Sequence, residues 1–169
     1  MITTLADAGP APASTAPDNR EATAVRVFDA PRELVWEAMT DPEHVRNWYG
    51  PRSTSLVSCE IDLRPGGRFR FVMRLPDGQE FGFGGEYREV VRPERIVNTW
   101  GWDGMPGHEA LETATFTQEE DGRTTVRLSI LFATMEDYSG WAGSGAFGGW
   151  AETLDRLAER IAGLRAAQG

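Results

Sequence analysis

The sequence predicts one α+β domain, in which a strongly curved antiparallel sheet of about seven strands closes on a long C-terminal helix. Two short helices are predicted directly after the first strand. Three observations support this fold class: a short alternating run opens the folded part, further runs separated by tight turns fill the middle, and the last segment repeats an apolar residue every third or fourth position. A curved sheet that faces one helix leaves an apolar pocket between them.

The chain is predicted to form a flexible tail over residues 1–21 and one domain over residues 22–169. The tail is rich in alanine, proline, threonine and serine and contains no aromatic residue. The pattern changes at Ala22, from which valine-rich alternation up to Phe28 predicts the first strand. A domain of this size buries roughly 70% of its unfolded surface, so it needs neither disulfides nor a metal to form a core.

Two short helices are predicted from the prolines of the next segment. Pro31 and Pro42 each suit the first turn of a helix, where a missing backbone N–H costs nothing. Asp29 and Asp41 precede these prolines and are predicted to cap the two helices. We therefore expect one helix to begin at each proline.

Six strands are predicted between residues 53 and 132 because turn-forming sequences interrupt the alternation. These turns lie at residues 65–67, 76–78, 92–95, 103–107 and 121–122. Phe69, Phe71 and Met73 alternate with arginines, which predicts an apolar inner face and a basic outer face. The same alternation assigns later residues to the inner face: Phe81, Phe83, Gly85, Tyr87, Ile96, Asn98, Trp100, Trp102, Glu112, Ala114, Phe116, Val126, Leu128, Ile130 and Phe132. The glycine-rich segment 82–85 is predicted to add a bulge or bend that curves the sheet.

The last segment predicts a long amphipathic helix. Its apolar residues recur at spacings of three and four: Phe147, Trp150, Leu154, Leu157, Ile161 and Leu164. At ~1.5 Å per residue such a helix spans ~30 Å, which is comparable with the width of the domain. The glycine-rich segment before it, residues 135–147, is predicted to be a hinge that gates ligand exchange.

A set of mainly aromatic side chains is predicted to line the pocket and bind a ligand: Trp48, Phe69, Phe71, Met73, Phe83, Asn98, Trp100, Trp102, Phe147 and Trp150. Alternation also turns Glu112 inward, where loss of hydration raises the pKa of a carboxyl group and prepares it as a general base. Glu112 is therefore a candidate catalytic residue. His108 is a second candidate, because a histidine at the mouth of the pocket can act as a general base. The competing interpretation of both is structural: a paired or exposed carboxylate, and a histidine in a surface loop.

Composition and motifs argue against several other classes. The net charge of −9 disfavours nucleic acids and anionic membranes as partners, because binding to either relies on lysine and arginine. Cys59 is the only cysteine, which excludes a disulfide within one chain and a cysteine-rich zinc site. Neither histidine has metal-ligand spacing, so we expect no metal, and no motif predicts a cofactor. No apolar run reaches the ~18 residues of a membrane span and no export signal is visible, so the protein is predicted to be cytoplasmic.

Four sequence blocks carry a family resemblance, at residues 30–51, 60–71, 76–100 and 149–161. They contain LVWEAMTDPEHVRNWYGP, GGRFRF, GEYREV and LDRLAERI. In these blocks the chain resembles the START-like or SRPBCC superfamily, and within it the branch homologous to the activator of the heat-shock protein 90 ATPase. This resemblance implies the helix-grip fold, with a deep cavity between sheet and C-terminal helix that members use for apolar molecules. It does not imply one reaction.

Three functions stay open at this point. The first is a carrier or sensor of a small apolar or aromatic molecule held in the cavity. The second is an enzyme of the polyketide cyclase or hydratase kind that uses the same cavity. The third is a chaperone-associated module that binds a protein through Arg68, Arg70 and Arg74 on the outer face. The additional N-terminal domain of the chaperone activators is not visible in the sequence, so a chaperone partner is not expected. A homodimer stays open.

Overall fold

The computed structural model describes residues 20–168, which fold into one seven-stranded sheet and four helices. The strands are β1 (Glu21–Phe28), β2 (Ser55–Ile61), β3 (Arg68–Arg74), β4 (Glu80–Val91), β5 (Arg95–Trp102), β6 (Ala110–Gln118) and β7 (Thr124–Leu131). The helices are α1 (Arg32–Thr40), α2 (Pro42–Val45), α3 (Met135–Gly143) and α4 (Ala146–Gln168). The predicted tail falls outside the described residues up to position 19, and its last residue, Glu21, begins β1. No helix in this part of the chain is both long and apolar enough to cross a bilayer.

The sheet is antiparallel throughout, with the strand order β1-β7-β6-β5-β4-β3-β2. Strands β2 to β7 form a meander in which each strand pairs with the next one along the chain. Strand β1 pairs with β7, so the two ends of the strand sequence meet. The predicted α+β helix-grip fold and its six strands after the first are confirmed.

The glycine-rich segment of β4 lacks a bulge, and a register shift occurs further along the strand. The glycine-rich segment 82–85 is predicted to contain a bulge, but β3 and β4 pair there without interruption. The register shift in β4 lies between Tyr87 and Glu89, where β4 pairs with β5. The glycines instead allow strands to approach closely: a Cβ on Gly85 would lie 1.8 Å from the carbonyl oxygen of Thr99.

The starts of the first two helices confirm one predicted cap and contradict the other. Asp41 accepts a hydrogen bond of 2.9 Å from the backbone N–H of Glu43 and caps α2. Helix α1 begins at Arg32 with Pro31 in the cap position, and no side chain caps it. The carboxylate of Asp29 instead accepts a hydrogen bond of 2.6 Å from Arg165 near the end of α4. The predicted cap at Asp29 is wrong because Pro31, two residues further on, occupies the cap position of α1.

The predicted hinge before the long helix is wrong, because residues Met135–Gly143 form helix α3. Thr134 caps this helix and accepts a hydrogen bond of 3.0 Å from the backbone N–H of Asp137. The cap and the acidic first turn stabilise the helix despite its two glycines. The ring of Phe132 then packs on Tyr138 and Trp141, which holds α3 against the end of the sheet.

Helix α4 lies across the inner face of the sheet, and its two halves differ in how tightly they pack. Leu157 and Ile161 in the second half are almost fully buried, together with Trp36 of α1 and Phe116 of β6. The first half lies over the same face but leaves space beneath it. This arrangement confirms the predicted apolar stripe and confines the cavity to one end of the helix.

Candidate functional site

A cavity of about 790 Å³ lies between the inner face of the sheet, the first half of α4, helix α3 and the loop after α2. Nine of the ten side chains predicted to line the pocket face this space: Trp48, Phe69, Phe71, Met73, Phe83, Asn98, Trp100, Trp102 and Trp150. The tenth, Phe147, is an exception. Its ring packs 4.8 Å from Trp141 in a second buried cluster, so it supports the wall instead of facing the cavity. Whether these side chains bind a ligand stays a prediction.

Glu112 of β6 faces the cavity, as the alternation predicted. Its direct partner across the sheet is Asn98 of β5, and Nδ2 of Asn98 donates a hydrogen bond of 3.0 Å to Oε1 of Glu112. The same amide nitrogen donates a bond of 2.9 Å to the backbone carbonyl of Thr99. These two bonds fix the amide, so Asn98 holds the carboxyl group of Glu112 in one orientation.

Burial raises the pKa of Glu112 to about 7, and the hydrogen bond from Asn98 acts in the opposite direction. The side chain keeps a small exposed area only because it borders the cavity. Aromatic and aliphatic groups surround it, and they cannot solvate a negative charge as water does. At neutral pH the protonated and ionised forms are therefore both populated.

Two tyrosines near Glu112 belong to the site, and neither was among the predicted site residues. Burial raises the pKa of Tyr49 well above its usual range, and the charge of Glu112 raises it further, whereas hydrogen bonding from Trp100 lowers it. Burial also raises the pKa of Tyr87, and Glu112 is again the next cause. Tyr87 already had the correct alternation. Tyr49 lies in a loop, for which alternation gives no signal.

Helix α4 holds the loop that carries Trp48 and Tyr49. The guanidinium of Arg156 donates hydrogen bonds of 2.7 Å to the carbonyl of Gly50 and 3.0 Å to that of Asn47. The indole nitrogen of Trp48 donates a bond of 2.8 Å to the carbonyl of Ala38 in α1. The loop is thus bound on both sides, which keeps its two aromatic rings on the cavity wall.

His108 lies at the rim of the cavity, in the loop between β5 and β6. Its Nδ1 is 2.8 Å from Oδ1 of Asp137, in the first turn of α3. This contact joins the loop to the helix that replaces the predicted hinge. The imidazole is half exposed and lies at the edge of the cavity, and the catalytic roles of His108 and Glu112 stay predictions.

The spacing of the histidines predicted no metal site, yet the fold brings three possible ligands together. The donor atoms of Glu37, Asp41 and His44 lie within 4.8 Å of one another, outside the cavity. Asp41 already caps α2, and a guanidinium nitrogen of Arg160 lies 3.0 Å from Nδ1 of His44. A neighbouring cation repels a metal ion, so this cluster fits a surface network better than a metal centre.

Comparison with solved structures finds the same fold in several bacterial proteins. A crystal structure from Rhodobacter sphaeroides has 26% sequence identity and a TM-score of 0.80, over 88% of this chain and 97% of that one. A crystal structure from Nitrosomonas europaea has 26% identity and a TM-score of 0.78, over 86% and 96%. The solution structure of an AHSA1-like protein from Aeromonas hydrophila has 25% identity and a TM-score of 0.67, over 85% and 93%.

Sequence comparison identifies the family. No curated protein matches the chain. The family described as activator of Hsp90 ATPase homolog 1-like protein matches residues 29–162, which include both short helices, β2 to β7, α3 and most of α4. The chain therefore belongs to the family of activator of Hsp90 ATPase homolog 1-like proteins, as its sequence blocks predicted.

Proposed function

We propose that this protein binds a small, flat, apolar molecule in the cavity between the sheet and α4, as a carrier or sensor. The observation that carries the proposal is the cavity of about 790 Å³ with its aromatic walls. Cavities of ~300–1,000 Å³ are typical of sites that enclose small molecules. Aromatic rings offer flat surfaces to a flat ligand, and Phe83 and Trp100 already stack at 5.6 Å with an angle of 19° between their planes.

A second candidate function is catalysis of the cyclase or hydratase kind in the same cavity. The observation that favours it is Glu112, whose pKa of about 7 suits general acid–base chemistry near neutral pH. An aromatic chamber that folds a substrate beside one such carboxyl group needs few other groups. This candidate predicts turnover that is lost on Glu112→Gln.

The outer face of the sheet gives less support to a protein-docking function. Arg70 binds Asp103 through two hydrogen bonds of 3.0 and 2.6 Å, and Arg74 binds Glu80 at 2.7 Å. Arg68 lies 3.8 Å from Glu86. Each guanidinium already has an acidic neighbour, so the face presents a neutralised network and not a free basic patch.

N-phenyl-1-naphthylamine, a neutral dye whose fluorescence increases in an apolar environment, tests the binding proposal. We expect the dye emission to rise with added wild-type protein until the binding site is saturated. The dye should also raise the melting temperature of the protein. Ala114→Phe fills cavity volume and should abolish the signal. Thr115→Phe adds the same ring at the next residue of β6, on the opposite face, and should leave the signal intact.

Two results would contradict the proposal. One is a wild-type protein that neither changes the dye emission nor shifts in melting temperature. The other is an Ala114→Phe variant that folds and binds the dye as well as the wild type does, because the dye would then be bound elsewhere.

A further inference from the structure

The charged groups that border the cavity are mainly acidic. Glu112 lies in its interior, and Glu136, Asp137 and His108 border it at the α3 end. All 17 basic residues of the chain are arginines within residues 20–168, and none of them lines the cavity. A carboxylate, phosphate or sulfate group would therefore lose its hydration there and gain no fixed positive partner.

Glu112 has no partner of opposite charge among residues 20–168. Its hydrogen-bond partner in this range is the amide of Asn98, which supplies a dipole but no net charge. Ionised groups in protein interiors are normally paired, because an unpaired charge there is strongly destabilising. The carboxyl group borders the cavity, so a bound ligand could bring the counter-charge to it.

The rings beside Glu112 suit a positive charge. Trp100 follows Asn98 by two residues on the same face of β5, and it stacks on Phe83. Tyr49 lines the same cavity as Glu112 and Trp100, and its ring packs 4.8 Å from that of Phe71. The faces of indole and phenol rings attract cations, most strongly where water is excluded.

We propose that the ligand of this cavity is an apolar, flat molecule with one basic nitrogen, and that Glu112 binds this nitrogen in its protonated form. An amine or a basic nitrogen heterocycle fits this description. The inference rests on the proposed function and specifies the chemical class of its ligand. The exposed Glu136 at the α3 end of the cavity would attract the same cation during its approach.

Three probes with one anthracene body separate the alternatives. Anthracen-9-ylmethanamine is cationic at neutral pH, anthracen-9-ylmethanol is neutral and anthracene-9-carboxylate is anionic. Each is titrated into the full chain, with binding followed by loss of tryptophan emission. The same titrations use Glu112→Gln, and Glu120→Gln as the matched control, since Glu120 is exposed in the turn between β6 and β7.

We expect the wild type to bind the amine about tenfold more tightly than the alcohol, in line with one buried ion pair, and the carboxylate most weakly. Glu112→Gln should bind amine and alcohol equally, and Glu120→Gln should keep the wild-type preference. Equal affinities of the wild type for all three probes would overturn the inference and leave the proposed function standing. Absence of binding by all three would overturn both.

A second measurement needs no variant. If the ammonium group pairs with Glu112, it favours the ionised carboxylate, so binding of the amine near pH 7 releases protons. Calorimetry in two buffers of different ionisation enthalpy measures this release. We expect a net release with the amine and none with the alcohol. Equal proton exchange for the two probes would contradict the inference.

Discussion

Asn98 and Glu112 are direct partners across the β5–β6 pair, and a hydrogen bond of 3.0 Å from the amide of Asn98 reaches the carboxyl group of Glu112. Directly opposed residues of an antiparallel pair have neighbouring side chains, so neither residue has to reach far to make this bond. The site is therefore built into the middle of the sheet, with β4 on one side and β7 on the other.

Glu112 is expected to make the protein less stable as the pH rises. The ordinary pKa of a glutamate carboxyl group is 4.5, whereas that of Glu112 in the folded protein is about 7, so folding favours the protonated form. The protonated Glu112 contributes about 3 kcal/mol to the free energy of unfolding. This contribution is complete below pH 4.5 and is lost as the pH rises through 7. Urea unfolding between about pH 4 and pH 8 should show this loss for the wild type, relative to Glu112→Gln. Parallel curves for the two proteins would contradict it.

Removing the amide of Asn98 is expected to raise the pKa of Glu112 above its wild-type value of about 7. The hydrogen bond from Asn98 stabilises the ionised carboxylate, and Asn98→Leu removes it while keeping the space filled. The carbon-13 shift of the Glu112 carboxyl group, followed against pH, measures the change. The carboxyl group of Glu120 serves as the internal control. A pKa that stays at or below its wild-type value would show that Asn98 does not stabilise the charge.

The ion pair between β1 and α4 is expected to matter more than a similar pair on the surface. Arg26 is 8% exposed and donates a hydrogen bond of 2.8 Å to Asp155. Asp155→Ala leaves this arginine buried without its partner and should cost about 1–2 kcal/mol of unfolding free energy, a value reduced because Asp155 is partly exposed. Glu159 lies on α4, like Asp155, and forms an exposed ion pair with Arg52. Glu159→Ala breaks that pair and should change the free energy of unfolding little. Equal losses from both variants would contradict this ranking.

Gly85→Ala is expected to destabilise the sheet. The added Cβ would lie 1.8 Å from the carbonyl oxygen of Thr99, so β4 and β5 would have to separate at a cost of about 1–3 kcal/mol. Gly148→Ala in α4 meets nothing within 4 Å and should stabilise the helix by about 0.5–1 kcal/mol. Thermal unfolding should show a lower melting temperature for Gly85→Ala and a higher one for Gly148→Ala than for the wild type. A neutral Gly85→Ala variant would show that the strands yield at this point.

Alternation predicted the inner face of the sheet well, because every second side chain of a strand points to the same side. The inward position of Glu112 followed from this rule only for an assumed register of β6. Its contact with Asn98 did not, since the pairing of β5 with β6 depends on the conformation of the loop between them. A shift of one residue in that loop would have turned Glu112 to the outside.

The parts that sequence reasoning missed lie where local and distant interactions compete. Two glycines in Met135–Gly143 favour a hinge, but the Thr134 cap and the packing of Trp141 on the sheet outweigh their low helix propensity. Phe147 has the correct helical spacing, yet Trp141 covers it. Tyr49 reaches the site through backbone contacts from Arg156, which no local pattern reveals.

The pairing of β1 with β7 has a consequence for how the chain folds during synthesis. Glu21 pairs with Leu131, so β1 leaves the ribosome well before its partner strand β7 has been synthesised. Until β7 has emerged, the apolar residues Ala22, Ala24 and Phe28 have no sheet to join. Contacts between such distant segments form slowly, because a long loop must close before they contribute. The nascent chain therefore keeps β1 unpaired until β7 has emerged.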